Sequence, residues 1–400
     1  FQALLLREYR RAGVDKDEAT RKKLADLSEQ MVALGQQFGK AIREDSKTME
    51  VAEKDLKGMP ADWIASHKKE GKVKITVSTD YPDFIPIQSY AAKEGVRLKM
   101  YKLFLTRAFP GNTEVLTKLL KARHEYATLL GFKDWASYNA EDKMVKERKV
   151  ISDFIEKVTA LARPRMKADL AQILKRKKKD HRAAKVVGSW DRFYYVNKIQ
   201  QEQFGVDPTE VREYFDFVKV KEGLLTITQE LFGLTFKQVK DARVWHPSVE
   251  AYDIFEGDKH LARFYLDLYP REGKYKHAAE FPLYPGLPGV QLPSASLVTN
   301  FPDPSKMDGK PALTEHAQVN TFFHEFGHLM HQLLAGRHKW VTQTGINCEW
   351  DFVEAPSQLL EEWAWDHKVL SRFAKHHETG KEIPLALVER MNKARSFGKG

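Results

Sequence analysis

A single cysteine, Cys348, stands among the 400 residues of this chain. That scarcity excludes an internal disulfide framework and any cysteine-rich zinc module. It leaves the compartment open between cytoplasm and periplasm. Long apolar runs are missing as well: no stretch approaches the roughly 18 uninterrupted apolar residues of a membrane-spanning helix, so no membrane insertion is expected. Residues 1–6 show no basic segment leading into a clean apolar stretch and cleavage site, and they are not expected to be a signal peptide. Internal repeats and low-complexity segments are absent too, which argues against an array or a disordered chain.

What the chain does carry is 42% apolar and 30% charged residues, enough to bury one large core or two. Its 65 Lys and Arg against 55 Asp and Glu leave a formal charge of +10. The densest basic run is 175–179, followed by Asp180, Arg182 and Lys185. Elsewhere the charges are mixed in sign, so the run reads as a solvated helix end and no nucleic-acid partner is expected. The chain opens on Phe1 without an initiator methionine and closes directly after the helical pattern of 385–393. Both ends read as cuts inside a longer protein.

Helical periodicity dominates. Leu24, Leu27, Met31, Leu34 and Phe38 recur at spacings of three and four, predicting an amphipathic helix over 17–45. A second helix is expected from a cap at Asn112 or Thr113 to a stop at Gly131, and further helices over 149–175, 190–203, 208–215 and 220–232. Strand signals are few: 73–77, the alternation around Phe264, Leu266 and Leu268, and 296–300. Between the last two, 270–293 is rich in Pro and Gly and reads as loop. A mainly helical protein with one small sheet follows, with a weakly marked boundary near 150.

The strongest chemical signal is His324-Glu325-Phe326-Gly327-His328, set in a helical pattern over 317–334. Histidines at i and i+4 project from one helix face and can share a zinc ion, with the intervening Glu placed to take a proton from a metal-bound water. A catalytic zinc site needs a third protein ligand and one open position. A third His six residues after the second is excluded, because Leu334 stands there and His331 replaces the required Gly. A Glu from the next helix remains. Glu354 follows His328 by 26 residues and opens an amphipathic helix, while Glu349 and Glu361 stay open as alternatives.

With these residues in view, the sequence resembles the thimet oligopeptidase/neurolysin family of zinc metallopeptidases, which includes oligopeptidase A and dipeptidyl carboxypeptidases. Residues 322–331 and 351–358 look like its signature, and matches at 190–195, 244–246 and 264–275 extend the likeness over most of 100–400. The resemblance implies a mainly α, two-lobed gluzincin metallopeptidase, with a small β-sheet next to the zinc helix and a deep substrate channel. On this reading 1–150 is a helical lobe and 151–400 the zinc-peptidase region, lacking its C-terminal continuation. One Zn2+ is expected on His324, His328 and Glu354, with Glu325 as general base and short peptides as substrates. Glu361 and Asp351 are candidates for orienting a ligand histidine through its free N–H. His331 would close the site as a fourth ligand and reads as a packing or hydrogen-bonding residue; His316 and His246 are lesser candidates. The run 296–300 is expected at the edge of the small sheet, where a peptide could pair.

Two substitutions depart from the family pattern: Asn320 stands where many members carry Glu, and Lys276 where they usually have Gly. The downstream His- and Tyr-bearing segment of the relatives has no counterpart before Gly400, so a C-terminal continuation or second chain is expected to complete the active site. That gap motivates the alternative of a peptide-binding or structural relative that retains zinc without turnover. The intact Glu325 argues against it. Whether the peptidase cuts internal bonds or releases C-terminal dipeptides is not written in the sequence.

Overall fold

The computed structural model describes residues 2–399. The chain divides into two compact units, 1–165 and 166–400. In the first, the predicted long helix spans Glu18–Glu44, and its N-terminus is capped by Asp17, which accepts from the Thr20 N–H. Its apolar stripe is core rather than a coiled-coil seam. Leu24 and Leu27 pack with Ala122 and Tyr126, and Leu34 with Val115 and Leu119, all from the helix Gly111–Leu129. That second helix departs from expectation at its start. It begins at Gly111, and Asn112 does not cap it; its amide turns inward and donates to the Phe38 carbonyl at 3.0 Å. Strand β1 (Thr48–Ala52), which the sequence pattern did not single out, pairs antiparallel with β2 (Lys74–Ser78).

The helix Arg148–Asp180 ends in the basic run. The run is not wholly solvated. Lys177 is buried and its Nζ lies 2.6 Å from Asp191, while Arg176 pairs with Asp180 and Glu202. Much of the positive charge that first drew attention is therefore neutralised within the fold.

The second unit is organised by a five-stranded sheet in the order β3 (Thr235–Gln238), β4 (Glu250–Glu256), β5 (Lys259–Asp267), β7 (Ser294–Val298), β6 (Ala279–Tyr284). β5 and β7 are parallel and the other pairs antiparallel. Two expectations are corrected here. The Pro- and Gly-rich stretch 270–293 is not all loop, since it contains β6. The strand after it ends at Val298 and lies inside the sheet, because β6 takes the edge. Pro282 is compatible with that position, since a residue without an N–H is tolerated on an edge strand. One face of the sheet, with Ile254, Ala262, Phe264, Leu266, Ala295 and Leu297 all fully buried, meets the helix His316–Leu334 and the helix Phe217–Phe232 in one continuous core.

A buried ionic knot holds the turn between β5 and β6. Asp267 accepts Arg271 through both oxygens at 2.6 and 2.7 Å, Trp245 Nε1 at 2.8 Å, and lies 2.9 Å from Lys274 Nζ. Lys274 also donates to the carbonyls of Asp267 and Tyr269. Burial alone would raise the Asp267 carboxyl, but these donors outweigh it and hold it at about 2. A carboxyl depressed from 3.8 to about 2 contributes about 2 kcal/mol, complete above pH ~4 and lost as pH falls through 2. Asp267→Asn leaves Lys274 buried without its counter-charge and is expected to cost about 3–5 kcal/mol at neutral pH. Denaturant unfolding of both proteins from pH 7 to pH 2.5 checks this: the gap should be full at pH 7 and narrow toward pH 2.5.

Candidate metal centre

The helix His316–Leu334 is built to bury one side and present another. Val319, Phe322, Phe326, Leu329 and Leu333 are buried at helical spacing, and Phe326 meets Phe264 of the sheet edge-to-face at 5.8 Å. That anchors the helix in rotation, so His324 and His328, one turn apart, leave from a different face with ring centroids 4.9 Å apart. The short helix Glu354–Glu361 begins at the residue the spacing singled out.

One atom ties the two helices together. Oε2 of Glu354 lies 3.2 Å from His324 Nε2 and 3.1 Å from His328 Nε2. These three side chains form the group that can hold a metal ion, one atom from each, all within 4.8 Å of one another. Ligands on a tetrahedral centre with bonds of about 2.0–2.1 Å stand about 3.3 Å apart, so the two measured separations fit a zinc-sized ion. The donor chemistry fits as well. His324 Nδ1 is 2.7 Å from Glu361 Oε1, a contact that a ring proton on Nδ1 would satisfy while leaving the Nε2 lone pair for a metal ion. Two imidazole nitrogens and a carboxylate oxygen are a donor set suited to zinc.

Three further residues set this geometry. Gly327 lies against the partner helix: a Cβ there would stand 2.7 Å from Ser357 Cα and 3.2 Å from the Pro356 carbonyl oxygen. Ser357 is fully buried, and its hydroxyl reaches Glu354 Oε2 at 2.9 Å, aiming the carboxylate. Glu361 makes the contact to His324 that the sequence left open between it and Asp351; Asp351 is exposed, just before the short helix.

Glu325, half-buried next to His324, lies within reach of β6. Burial raises its carboxyl above the usual range; His324 pulls it down, Glu354 pushes it up, and the backbone N–H of Glu280 donates to it. Glu280 itself lies on β6. Burial, and then the charge of Glu325, push its carboxyl up to about 8, and its Oε1 is buried without a hydrogen-bond partner. Sequence reasoning missed Glu280 because the strand carrying it lay in an apparent loop. Burial keeps His328 below its ordinary value, hence neutral and able to offer a lone pair.

The lesser candidates fall outside this group. His331 and Glu349 do not belong to it. His331 is half-buried, and burial lowers its pKa. His316 is half-buried, desolvation holds it at about 4, and its Nε2 lies 2.7 Å from the Ala364 carbonyl oxygen, which makes it a neutral structural residue. His246 bonds Ser248 within its own turn.

Comparison with known proteins gives a consistent result. The family model described as Peptidase family M3 matches residues 87–400. The chain is 34% identical over 416 aligned residues to the thimet-like oligopeptidase of Dictyostelium discoideum, covering 98% of this chain and 61% of that protein. It is 30% identical to oligopeptidase A of Escherichia coli (98% and 60% covered) and 31% identical to saccharolysin of Saccharomyces cerevisiae (97% and 57%). The chain thus spans about 60% of the length of these curated relatives.

The Gly327 contact yields a test. Gly327→Ala forces the two helices apart or displaces Ser357, and overpacking of this kind costs about 1–3 kcal/mol. Because Glu354 rides on the displaced helix, zinc affinity is expected to fall at least tenfold, measured by competition with a chelating dye. An unchanged affinity would show that the helix contact does not set the ligand spacing.

Proposed function

The chain belongs to peptidase family M3, and from that premise we propose that it carries a zinc centre that hydrolyses peptide bonds in short oligopeptides. The observation that carries the reading is the convergence of His324, His328 and Glu354 from two helices, with Glu325 one residue from the first ligand. These three side chains hold the ion. Zinc, when bound, supplies Lewis acidity, lowering the pKa of a coordinated water and polarising a carbonyl.

The chain's own groups do the rest. Glu325 is the general base: its carboxylate takes a proton from the attacking water and delivers it to the leaving amine. Its half-buried position limits the access of bulk solvent. Glu361 holds the His324 ring through Nδ1. β6, being an edge strand and largely exposed, offers open main-chain groups beside Glu325, and an extended peptide can add there as a further strand.

Zinc analysis and a quenched fluorescent peptide test this together. One zinc per chain is expected, with hydrolysis abolished by a chelator and restored by zinc. Glu325→Gln should keep the zinc and lose roughly 10²–10⁴-fold in kcat. Product masses then distinguish internal cleavage from release of C-terminal dipeptides. Zinc-loaded protein that turns over no member of a peptide library would overturn the hydrolytic reading; protein that retains no zinc would overturn the metal centre.

A further inference from the structure

We infer that Trp365, Asn320 and Glu361 form a relay that fixes which nitrogen of His324 faces the metal position, with Asn320 its positioning residue. This rests on the metal-centre reading above. The relay is a chain of three contacts: Trp365 Nε1 to Asn320 Oδ1 at 2.8 Å, Asn320 Nδ2 to Glu361 Oε2 at 2.6 Å, and Glu361 Oε1 to His324 Nδ1 at 2.7 Å.

Each orientation in this chain follows from the one before it. An indole N–H can only donate, so the amide must turn its oxygen to Trp365 and its NH2 to Glu361. The amide thereby occupies one carboxylate oxygen of Glu361 and leaves the other to accept from His324. With the ring proton drawn to Nδ1, Nε2 is left as the lone-pair nitrogen. A carboxylate at position 320 would have no proton to offer Glu361 and would repel it, which gives physical content to a substitution that the sequence marks only as a departure.

The far end of the relay is rigid. The Trp365 indole meets the His316 ring edge-on at 4.3 Å, and the Arg395 guanidinium lies over it at 4.6 Å, itself paired with Glu362. His316 is in turn fixed to the Ala364 carbonyl. Asn320 and His324 are one turn apart on one helix, as Glu361 and Trp365 are four residues apart on the partner segment, so the contacts form two rungs between antiparallel elements. His328 has no such support, since its Nδ1 is buried without a partner. The chain orients one ligand histidine and leaves the other to be fixed by what it binds.

Two readouts test the relay. In metal-free protein at pH 8, nitrogen-15 NMR of the imidazoles should show His324 as the Nδ1–H tautomer. Asn320→Leu should shift it toward the Nε2–H form that a neutral histidine otherwise favours, and zinc Kd should rise about 10-fold. Trp365→Phe keeps an aromatic ring but removes the indole N–H, freeing the amide, and should produce a smaller shift of the same kind. The double variant should be no worse than Asn320→Leu alone, because both act through one path. Circular dichroism of the metal-free variants controls for folding. An Nδ1–H tautomer unchanged in Asn320→Leu, or strictly additive losses in zinc affinity, would overturn the relay. A wild-type chain that binds no zinc would instead sink the metal-centre reading, with the tautomer still reporting on the relay.

Discussion

The helix His316–Leu334 and the helix Glu354–Glu361 touch backbone to backbone at Gly327, and the site depends on how close they come. Two helices that met through ordinary side chains would sit with their axes about 8–10 Å apart, each contact adding to the gap. Here one position has no side chain, and Ser357 and Pro356 occupy the space it vacates. The distances from Glu354 to both histidines, and from Glu361 to His324, are then all fixed by one steric condition. The sheet enforces the same arrangement from the other side, since the phenylalanines packed on it determine the rotation of the longer helix.

Electrostatically the site is rich in carboxylates. Glu280, Glu325, Glu354 and Glu361 gather around two histidines, of which His328 is driven toward neutrality by burial. Burial raises the first two carboxyls, and their mutual charge raises Glu280 further. A cation at the convergence point of His324, His328 and Glu354 would relieve that excess of negative charge. The same crowding explains why neutral donors matter here: the Ser357 hydroxyl and the Asn320 amide orient carboxylates without adding to the charge.

Much of this was legible in the sequence where the determinants are local. The i, i+4 histidines need only a helix, and the apolar spacing supplies one, so their meeting on one helix face could be expected directly. The long helix Glu18–Glu44 was equally plain, down to an extent within one residue of the periodic stretch. Glu354 required more, because its distance to the histidines is a tertiary fact and Glu349 or Glu361 satisfied the same spacing loosely. What stayed hidden was non-local. β6 carries Pro282 and exposes Phe281, Leu283 and Tyr284 without an in-out alternation, so its identity comes from pairing with β7 rather than from its own pattern. Glu280 was lost with it. Asn320 read only as a departure from the family pattern because its partners, Glu361 and Trp365, lie more than 40 residues away in sequence. Asn112 read as a cap because its type favours one, yet the Phe38 carbonyl claimed its amide.

The atoms that could hold a metal ion are divided unevenly: two on a long, deeply packed helix and one on a helix of eight residues whose carboxylate is half exposed. An ion bound by all three is therefore also a clasp between the two elements. By linkage, every factor of ten by which free ion exceeds its dissociation constant adds about 1.4 kcal/mol to the joined state over any state in which the short helix has come away. Docking of that helix and occupancy of the site are one equilibrium seen from two ends. Metal availability would then govern how firmly the segment around Glu354 is seated, and with it the protease sensitivity of the connection between the helices.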